Sequence, residues 1–457
     1  MTESRPPAAG DEIYTELRRQ AWSLPGGSYR GERRWPGRRC ARKPTWVVND
    51  TAARSTHPMN LPQQAEKTRV PMRRQGFDAA MVEASEHTLV ELNVAHDEAA
   101  LMRSTERHKL SLLGLLDSRR AATEISDLGD AAVAQAVADL LDSARSAPQD
   151  GAKAVSSGQQ ADLHQGTMAA DPAAMAETMA DLLAWRSANT PSATLEEAMV
   201  SHHRRSAHTA TSGGSSLACQ LGWYELMAMA TAREGDQSSS FNYAGGSCHA
   251  LGGQPTAQCF GIGPMLIDLS RQVNTQALDQ RFTGDVVLMP QAVDSLLGWL
   301  RGQLADMALI AGTSLYRDQV GAVIASPLLG LKSRFDAPGV AALSGDGFIA
   351  APVKLLREGR LLTLTPSLYG SRKTGVQHGA VVGRLSMGMP AANGNFSGVI
   401  KNSFLIEDGQ AGAALSEVMI SGNMTQVLRD VLAVSAERQV IGDTLLPWLR
   451  MAGLHFS

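Results

Sequence analysis

Residues able to do chemistry are sparse and scattered. His202, His203 and His208 form the only dense imidazole cluster. Two rings grip one ion well when they lie one helical turn apart with a glutamate between them; spacings of five and six place them less cleanly on one face, and no glutamate intervenes. Arg204 and Arg205 lie within the cluster and repel a cation. The segment TLEEAMVSHHRRSA reads as a short helix, with Thr194 as N-cap and Glu197 completing a capping box, so its histidines belong to a charged, solvated helix end.

Cys248 and His249 are adjacent, and Cys259 follows in a glycine-rich stretch. A cysteine nucleophile needs an imidazole turned towards its sulfur and a third group to orient that imidazole. Neighbours along an extended chain point apart, so these residues read as ordinary loop or core positions. The glycines at 245–246, 252–253 and 261–263 carry no GxxxxGK[ST] pattern, and Pro264 interrupts GIGPM where a dinucleotide motif would begin its helix. Turn geometry accounts for them. Asp336, Asp346, Glu358, Glu407 and Asp408 fall at expected hairpin ends, where acidic residues are common turn formers. The run GNFSGVIKNSFLIE is different: an alternating strand with small residues can accept an extended peptide by strand addition. Gly394, Asn395, Phe396, Ser397 and Asn402 are its candidate peptide-binding or subunit-interface residues.

The elements that position these residues follow from composition and periodicity. A chain of 457 residues exceeds one hydrophobic core, and 44% hydrophobic with 19% charged residues is an ordinary globular balance. The net charge of -3 supplies no basic field for nucleic acid or an acidic membrane. Four cysteines without CxxC spacing, no apolar leader, and apolar runs too short to cross a bilayer predict a soluble cytoplasmic protein.

Residues 1–58 are rich in Arg, Gly, Pro and Trp without periodicity and are expected to be a disordered or non-native extension, with Met59 as the expected native start. Short β-like runs from Gly76 precede a helix over DLGDAAVAQAVADLLDSARSAP with Asp127 as its cap, giving an N-terminal α+β domain over 76–148. A linker over about 149–166 leads into a middle α+β domain at 165–280. It contains a helix with Met175, Met179, Leu182 and Leu183 on one stripe, and a later helix through PMLIDLSRQVNTQALDQRF. From 284 to 457 the pattern is β-rich: the strand DVVLM, a helix opened by Pro290, then runs separated by glycine turns such as REGR and EDGQ. The fold class is therefore α+β with a β-rich C-terminal domain.

The order of C-terminal segments carries a resemblance. SRFDAPGVAA, LLREGRLLTLTPSLYGSRKTG, NFSGVIKNSFLIEDGQ and EVMISGNMTQVLRDVLAVS follow one another as in the TldD/PmbA (modulator of gyrase) metallopeptidase family, whose members carry GxFSxxxxxxFLIExG and ISGN steps. HTATSGGSSLACQLGWYELMAMATA and SEHTLVELNVAHDEAALMRSTERHKLSLLGLLDSRRAATEISDL resemble its middle and first domains. The resemblance implies a two-subunit zinc peptidase in which the TldD-like subunit holds the metal through HExxxH and a later cysteine. Here the corresponding helix reads QAVDSLLGWLRGQLADM, and from Asp285 onward there is no cysteine and only His378 and His455. The resemblance thus implies a TldE/PmbA-like subunit with no cofactor of its own, zinc in its TldD-like partner, and an unfolded or short peptide as substrate, without nucleic acid or membrane. The competing reading is a divergent peptide-binding or scaffold protein with no peptidase partner, and a third is an independent hydrolase using Cys248.

Overall fold

In the computed structural model of the chain, the described residues are 60–278, 281–376, 390–391, 393–407 and 410–456. The expectations for residues 1–58, and those for His378 and Asp408, fall outside them.

The first element is a helix that periodicity did not flag, α1 (Leu61–Arg74), capped by the Asn60 side chain accepting from the Gln63 amide at 3.0 Å. Its apolar face is narrow, with Ala65 and Met72 buried among charged residues, and Pro71 lies inside it. Long strands follow where short runs were expected: β1 (Ala79–Ala95), β2 (Glu98–Leu116) and β3 (Arg119–Ile125). Polar residues in the middle of β1 and β2 break the alternation without ending the strands, because pairing with a neighbour satisfies the backbone throughout. Helix α2 (Asp130–Ser146) starts later than expected, at Gly129, and Asp127 instead accepts from the Gly129 amide at 2.9 Å.

The expected linker contains β4 (Gln160–Gln165), which runs parallel to a later strand over Ser216–Leu221. Helix α3 (Pro172–Asn189) opens on Asp171, whose carboxylate accepts from the Ala174 amide at 3.0 Å, and buries Met175, Met179 and Leu182. The helix expected over TLEEAMVSHHRRSA is instead part of strand β5 (Ala193–Thr211), with β6 (Ser216–Glu234) as its hairpin partner. Pairing with β1 on one side and β6 on the other outweighs the local capping box, and Thr194 pairs with Thr231. After β7 (Gln237–Ser238), β8 (Asn242–Cys248) and a short 3-10 helix, α4 (Ile262–Arg271) is shorter than its sequence pattern.

Strands from both expected N-terminal domains share one sheet, in the order β3-β2-β1-β5-β6-β4. At 17–19 residues and ~3.3 Å per residue, its long strands reach roughly 60 Å. Two separate apolar clusters cover one face: α1 and α2 pack on one end around Phe77, Val82 and Leu110, and α3 and α4 on the other around Leu92, Val200 and Leu226. Between them lies a polar saddle containing Glu86, Thr88, Arg204 and Ser206.

The C-terminal part holds the third core. Strand β9 (Phe282–Leu288) leads into α5 (Pro290–Leu304) and α6 (Asp306–Ala311), as the DVVLM strand and Pro290 predicted. Short strands β10 (Leu331–Ser333), β11 (Val353–Arg357) and β12 (Arg360–Leu361) form a small sheet. Its hairpin turns at Glu358 (φ 50°) and Gly359 (φ 72°), the two positive-φ positions of a tight two-residue turn. After α7 (Leu368–Thr374) come β13 (Asn395–Ile400), β14 (Ser403–Glu407), β15 (Gln410–Leu415), β16 (Val418–Asn423), α8 (Met424–Arg429), β17 (Val431–Ile441) and β18 (Thr444–Phe456). The main sheet runs β13-β16-β18-β17 with β9 on β18, and α5 packs on it through Val293, Leu296 and Leu300. The architecture is α+β, with strand outweighing helix at 44% to 26% of the described residues.

Candidate functional site

Two places gather polar side chains on rigid elements. The first is in the C-terminal sheet. Gly394, at φ 85°, brings its backbone beside Trp299 of α5, so that a Cβ there would lie 3.4 Å from the indole and 3.3 Å from Asn423 Oδ1. Asn423 pins this turn: its Nδ2 donates to Asn395 Oδ1 at 2.8 Å and to the Asn393 carbonyl at 3.0 Å, and its Oδ1 caps α8 by accepting from the Thr425 amide. Phe396 packs against the core, while Ser397 and Val399 are exposed. Asn402 sits at φ 52° in the following turn, and its buried Oδ1 has no hydrogen-bond partner among the described residues. The structure therefore places Gly394 and Asn395 against α5 and Asn423, with Ser397 further along the same strand and Asn402 in the turn beyond its end. Among the described residues β13 pairs only with β16, so no other strand lies along it, and the Asn395 carbonyl accepts from the Ala391 amide at 2.8 Å.

On α5 the buried face is Val293, Leu296, Trp299, Leu300 and Leu304, with Gln303 as its polar member. Gln303 Oε1 accepts from the Leu315 amide at 2.9 Å, and its main-chain carbonyl accepts from Ser314 Oγ at 2.7 Å. Trp299 meets Tyr316 edge-on with ring centres 6.0 Å apart, and burial pushes the Tyr316 phenol up to about 12. An indole and a primary amide do not ligate zinc, so these residues do not fit the metal that the sequence resemblance places on this helix in its zinc-bearing members.

The second place was invisible in the sequence. On the sheet face away from the helices, His87 of β1, His203 of β5 and Trp223 of β6 stack in near-parallel planes: His87 to His203 at 5.3 Å and 12°, His203 to Trp223 at 4.7 Å and 7°. His87 Nε2 and His203 Nδ1 are 3.1 Å apart, and His203 Nε2 lies 3.0 Å from Ser201 Oγ and 3.5 Å from Glu225. One neutral arrangement satisfies all of these: His203 donates from Nε2 and accepts at Nδ1 from His87. Trp223 Nε1 also donates to Glu225 at 2.9 Å. Burial, then His203, Arg205 and Arg107, lower the His87 pKa. Gly339 of the C-terminal part closes over Trp223, since a Cβ there would lie 2.7 Å from the indole, and Gln165 Nε2 donates to the Ala337 carbonyl at 3.3 Å.

The strand pairing also corrects the helical reading of the histidine cluster, because alternation sends His202 and His203 to opposite faces. His202 is buried and hydrogen-bonds the Thr167 carbonyl at 2.7 Å, while His208 lies 3.4 Å from Ser216 Oγ. Glu86, Glu106 and His108 bring possible ligand atoms within 4.8 Å of one another, but Arg204 is paired with Glu86 and disfavours a cation there. Asp336 is engaged by Arg334, and Asp346 accepts from the Leu368 amide at 2.6 Å. The Glu407 side chain is outside the described residues.

Cys248 ends β8, and burial pushes its thiol up to about 11, which leaves almost no thiolate at neutral pH. Alkylation by iodoacetamide at pH 7 is expected to run at least tenfold more slowly at Cys248 than at a free thiol of pKa ~8.5. Mass spectrometry of the modified peptide after timed quenching measures it, and labelling at the free-thiol rate would contradict the assignment. Gly245 and Gly246 are explained by close approach rather than by a phosphate: added Cβ atoms would meet the Leu226 carbonyl at 2.5 Å and the Phe260 ring at 2.6 Å.

Comparison with known proteins bears on most of the chain. Residues 282–391 and 376–457 match the sequence model of the PmbA/TldA metallopeptidase C-terminal domain. Among solved structures, a protein described as a modulator of DNA gyrase from Bacteroides thetaiotaomicron superposes with a TM-score of 0.76 at 19% identity, covering 87% of this chain and 98% of that one. TldE from Thermococcus kodakarensis gives 0.72 at 16%, covering 86% and 100%. A protein described as a modulator of a DNA gyrase from Thermotoga maritima gives 0.69 at 15%, covering 87% and 100%. At these identities the likeness is one of fold. No curated protein matches the sequence.

Proposed function

The chain belongs to the TldD/PmbA family through its C-terminal domain, and from that premise we propose that it is the non-catalytic, TldE/PmbA-like subunit of a two-subunit zinc peptidase. The single observation that carries the reading is the face of α5. In the position where the resemblance calls for HExxxH, Trp299 packs on Tyr316 and Gln303 holds the 314–315 backbone. The partner's zinc would polarise the scissile carbonyl and lower the pKa of its bound water. This chain contributes wall and substrate alignment. Among the described residues no strand pairs with the edge of β13 away from β16, beside exposed Ser397 and Val399 with Met419 across from Val399, and such an edge aligns an extended peptide by main-chain hydrogen bonds. A cytoplasmic setting belongs to the same reading and fits the free thiols of Cys219, Cys248 and Cys259.

The test is co-expression with a TldD-like protein bearing HExxxH, followed by size exclusion, metal analysis and cleavage of an unfolded peptide. The lone chain is expected to hold no stoichiometric zinc and to leave the peptide intact, and the co-purified pair to cleave it. One tightly held zinc per lone chain together with turnover would overturn the reading. A pair that never forms would favour a scaffold protein instead. Among the described residues no helix is long and apolar enough to cross a membrane.

A further inference from the structure

We propose that Arg107, His87 and Arg205, one cross-strand row on the helix-free face of the N-terminal sheet, bind the C-terminal carboxylate of an extended peptide. The inference rests on the reading that this chain handles peptide. Register puts His87 directly opposite Arg107 on β2 and opposite Arg205 on β5. Directly paired residues point to the same face with Cα atoms about 4.5–5.5 Å apart, so both guanidinium groups flank the imidazole. Arg107 is exposed and makes no hydrogen bond or ion pair among the described residues. Arg205 is 40% exposed and gives one Nη2 hydrogen bond to Glu83 at 3.0 Å.

The surrounding charges leave this row short of an anion. Glu91 is engaged by Arg103 at 2.6 Å and Glu124 by Lys109 at 2.9 Å. Glu225 is turned to His203 and Trp223, and Glu83 alone serves Arg205, with Thr209 also donating to it at 3.3 Å. His87 spends Nε2 on His203, while its Nδ1 has no hydrogen-bond partner among the described residues. Burial and then His203 depress its protonation, with the two arginines adding to both, and a carboxylate placed between the arginines opposes their share and favours a proton on the ring.

Shape selects a chain end over a passing chain. The row passes through Leu221 of β6, which is 1% exposed, to Gln165 of β4, whose Nε2 donates to the Ala337 carbonyl, and in the adjacent row Trp223 lies beneath Gly339. Among the described residues no strand covers the outer side of β2 over residues 98–109, where Arg107 stands. An extended peptide can therefore enter along the sheet face but cannot continue past the imidazole stack. Bidentate guanidinium–carboxylate contact is the chemistry that best fits such a blind end.

Three probes test this by calorimetry on the full chain: a neutral hexapeptide with a free carboxyl terminus, its C-terminal amide, and that amide carrying one internal aspartate. The free acid is expected to bind roughly tenfold or more tightly than either amide, since one charge-assisted contact is lost. Arg107→Ala, at an exposed and unpartnered position, is expected to abolish that discrimination, and NMR titration should show the His87 pKa rising on binding of the free acid. Equal affinity for acid and plain amide, unchanged discrimination in Arg107→Ala, or an unmoved His87 would overturn the inference while leaving peptide handling intact. Equal binding of the aspartyl amide would overturn the terminal-carboxylate assignment. If none of the peptides binds, the peptide-handling reading itself fails.

Discussion

Gly222→Val is expected to destabilise the N-terminal sheet by on the order of 3–5 kcal/mol, combining overpacking with the loss of a buried hydrogen bond. Gly222 lies in β6 where 166–168 crosses it, and a Cβ would sit 1.9 Å from the Thr167 carbonyl oxygen and 2.5 Å from its carbon. Gly166, at φ 74°, faces it so closely that its own Cβ would be 1.8 Å from the Gly222 oxygen. Both clashes are with backbone, so no side chain can swing aside and the crossing segment itself must move. That movement takes the Thr167 carbonyl from His202, which is 2% exposed and has no other hydrogen-bond partner described. Urea denaturation measures the effect as a fall in midpoint at unchanged slope. Gly253→Ala is the control, because a Cβ there meets nothing within 4 Å, and it should shift stability by no more than about 0.5 kcal/mol. A Gly222→Val midpoint equal to the control's would show that the segment yields freely.

Asp268→Asn should stabilise the protein above pH 6 by about 2 kcal/mol and leave it unchanged below pH 4. Burial in α4 pushes the Asp268 carboxyl up to about 6. The neighbouring charge does little to offset this: Arg271 Nη1 is 4.0 Å away, and the guanidinium lies over the Phe404 ring while donating to the Ala411 and Gly412 carbonyls at 2.9 and 2.8 Å. The sign follows from proton counting. Between roughly pH 4 and 6 the folded protein keeps a proton that the unfolded chain releases, so stability declines as pH rises through that window and stays lower above it. Asparagine never ionises and escapes the decline. Urea midpoints at pH 4, 5, 6 and 8 test this, and parallel profiles for the two proteins would refute it. Because Arg271 ties α4 to the β14–β15 hairpin, the same titration acts where the N-terminal sheet meets the C-terminal domain.

Elements with local punctuation were legible. Asp171 and Pro172 start α3, Pro290 starts α5, and the Glu358–Gly359 pair turns its hairpin, each through chemistry contained within a few residues. The capping-box pattern at Thr194 failed because that signature describes a helix end in isolation, whereas these residues gain two strand neighbours at long range. Helix α1 escaped notice because few apolar residues mark its face. Strand β4 escaped because it finds its partner over fifty residues later, beyond the reach of any local pattern.

By its own residue types the sequence determined that α5 lacks imidazole and thiolate ligands and that the C-terminal segments run in the family's order. It also determined the alternation that made GNFSGVI a strand. Tertiary structure alone decided that β13 pairs only with β16 among the described residues, that Asn423 fastens Gly394 and Asn395 beside Trp299, and that His87, His203 and Trp223 form one stack. The division has a physical cause. Residue chemistry and turn preference are properties of a few bonds, but which side chains meet across a sheet depends on strand register, and register is set by burying one face of strands that lie far apart in the chain.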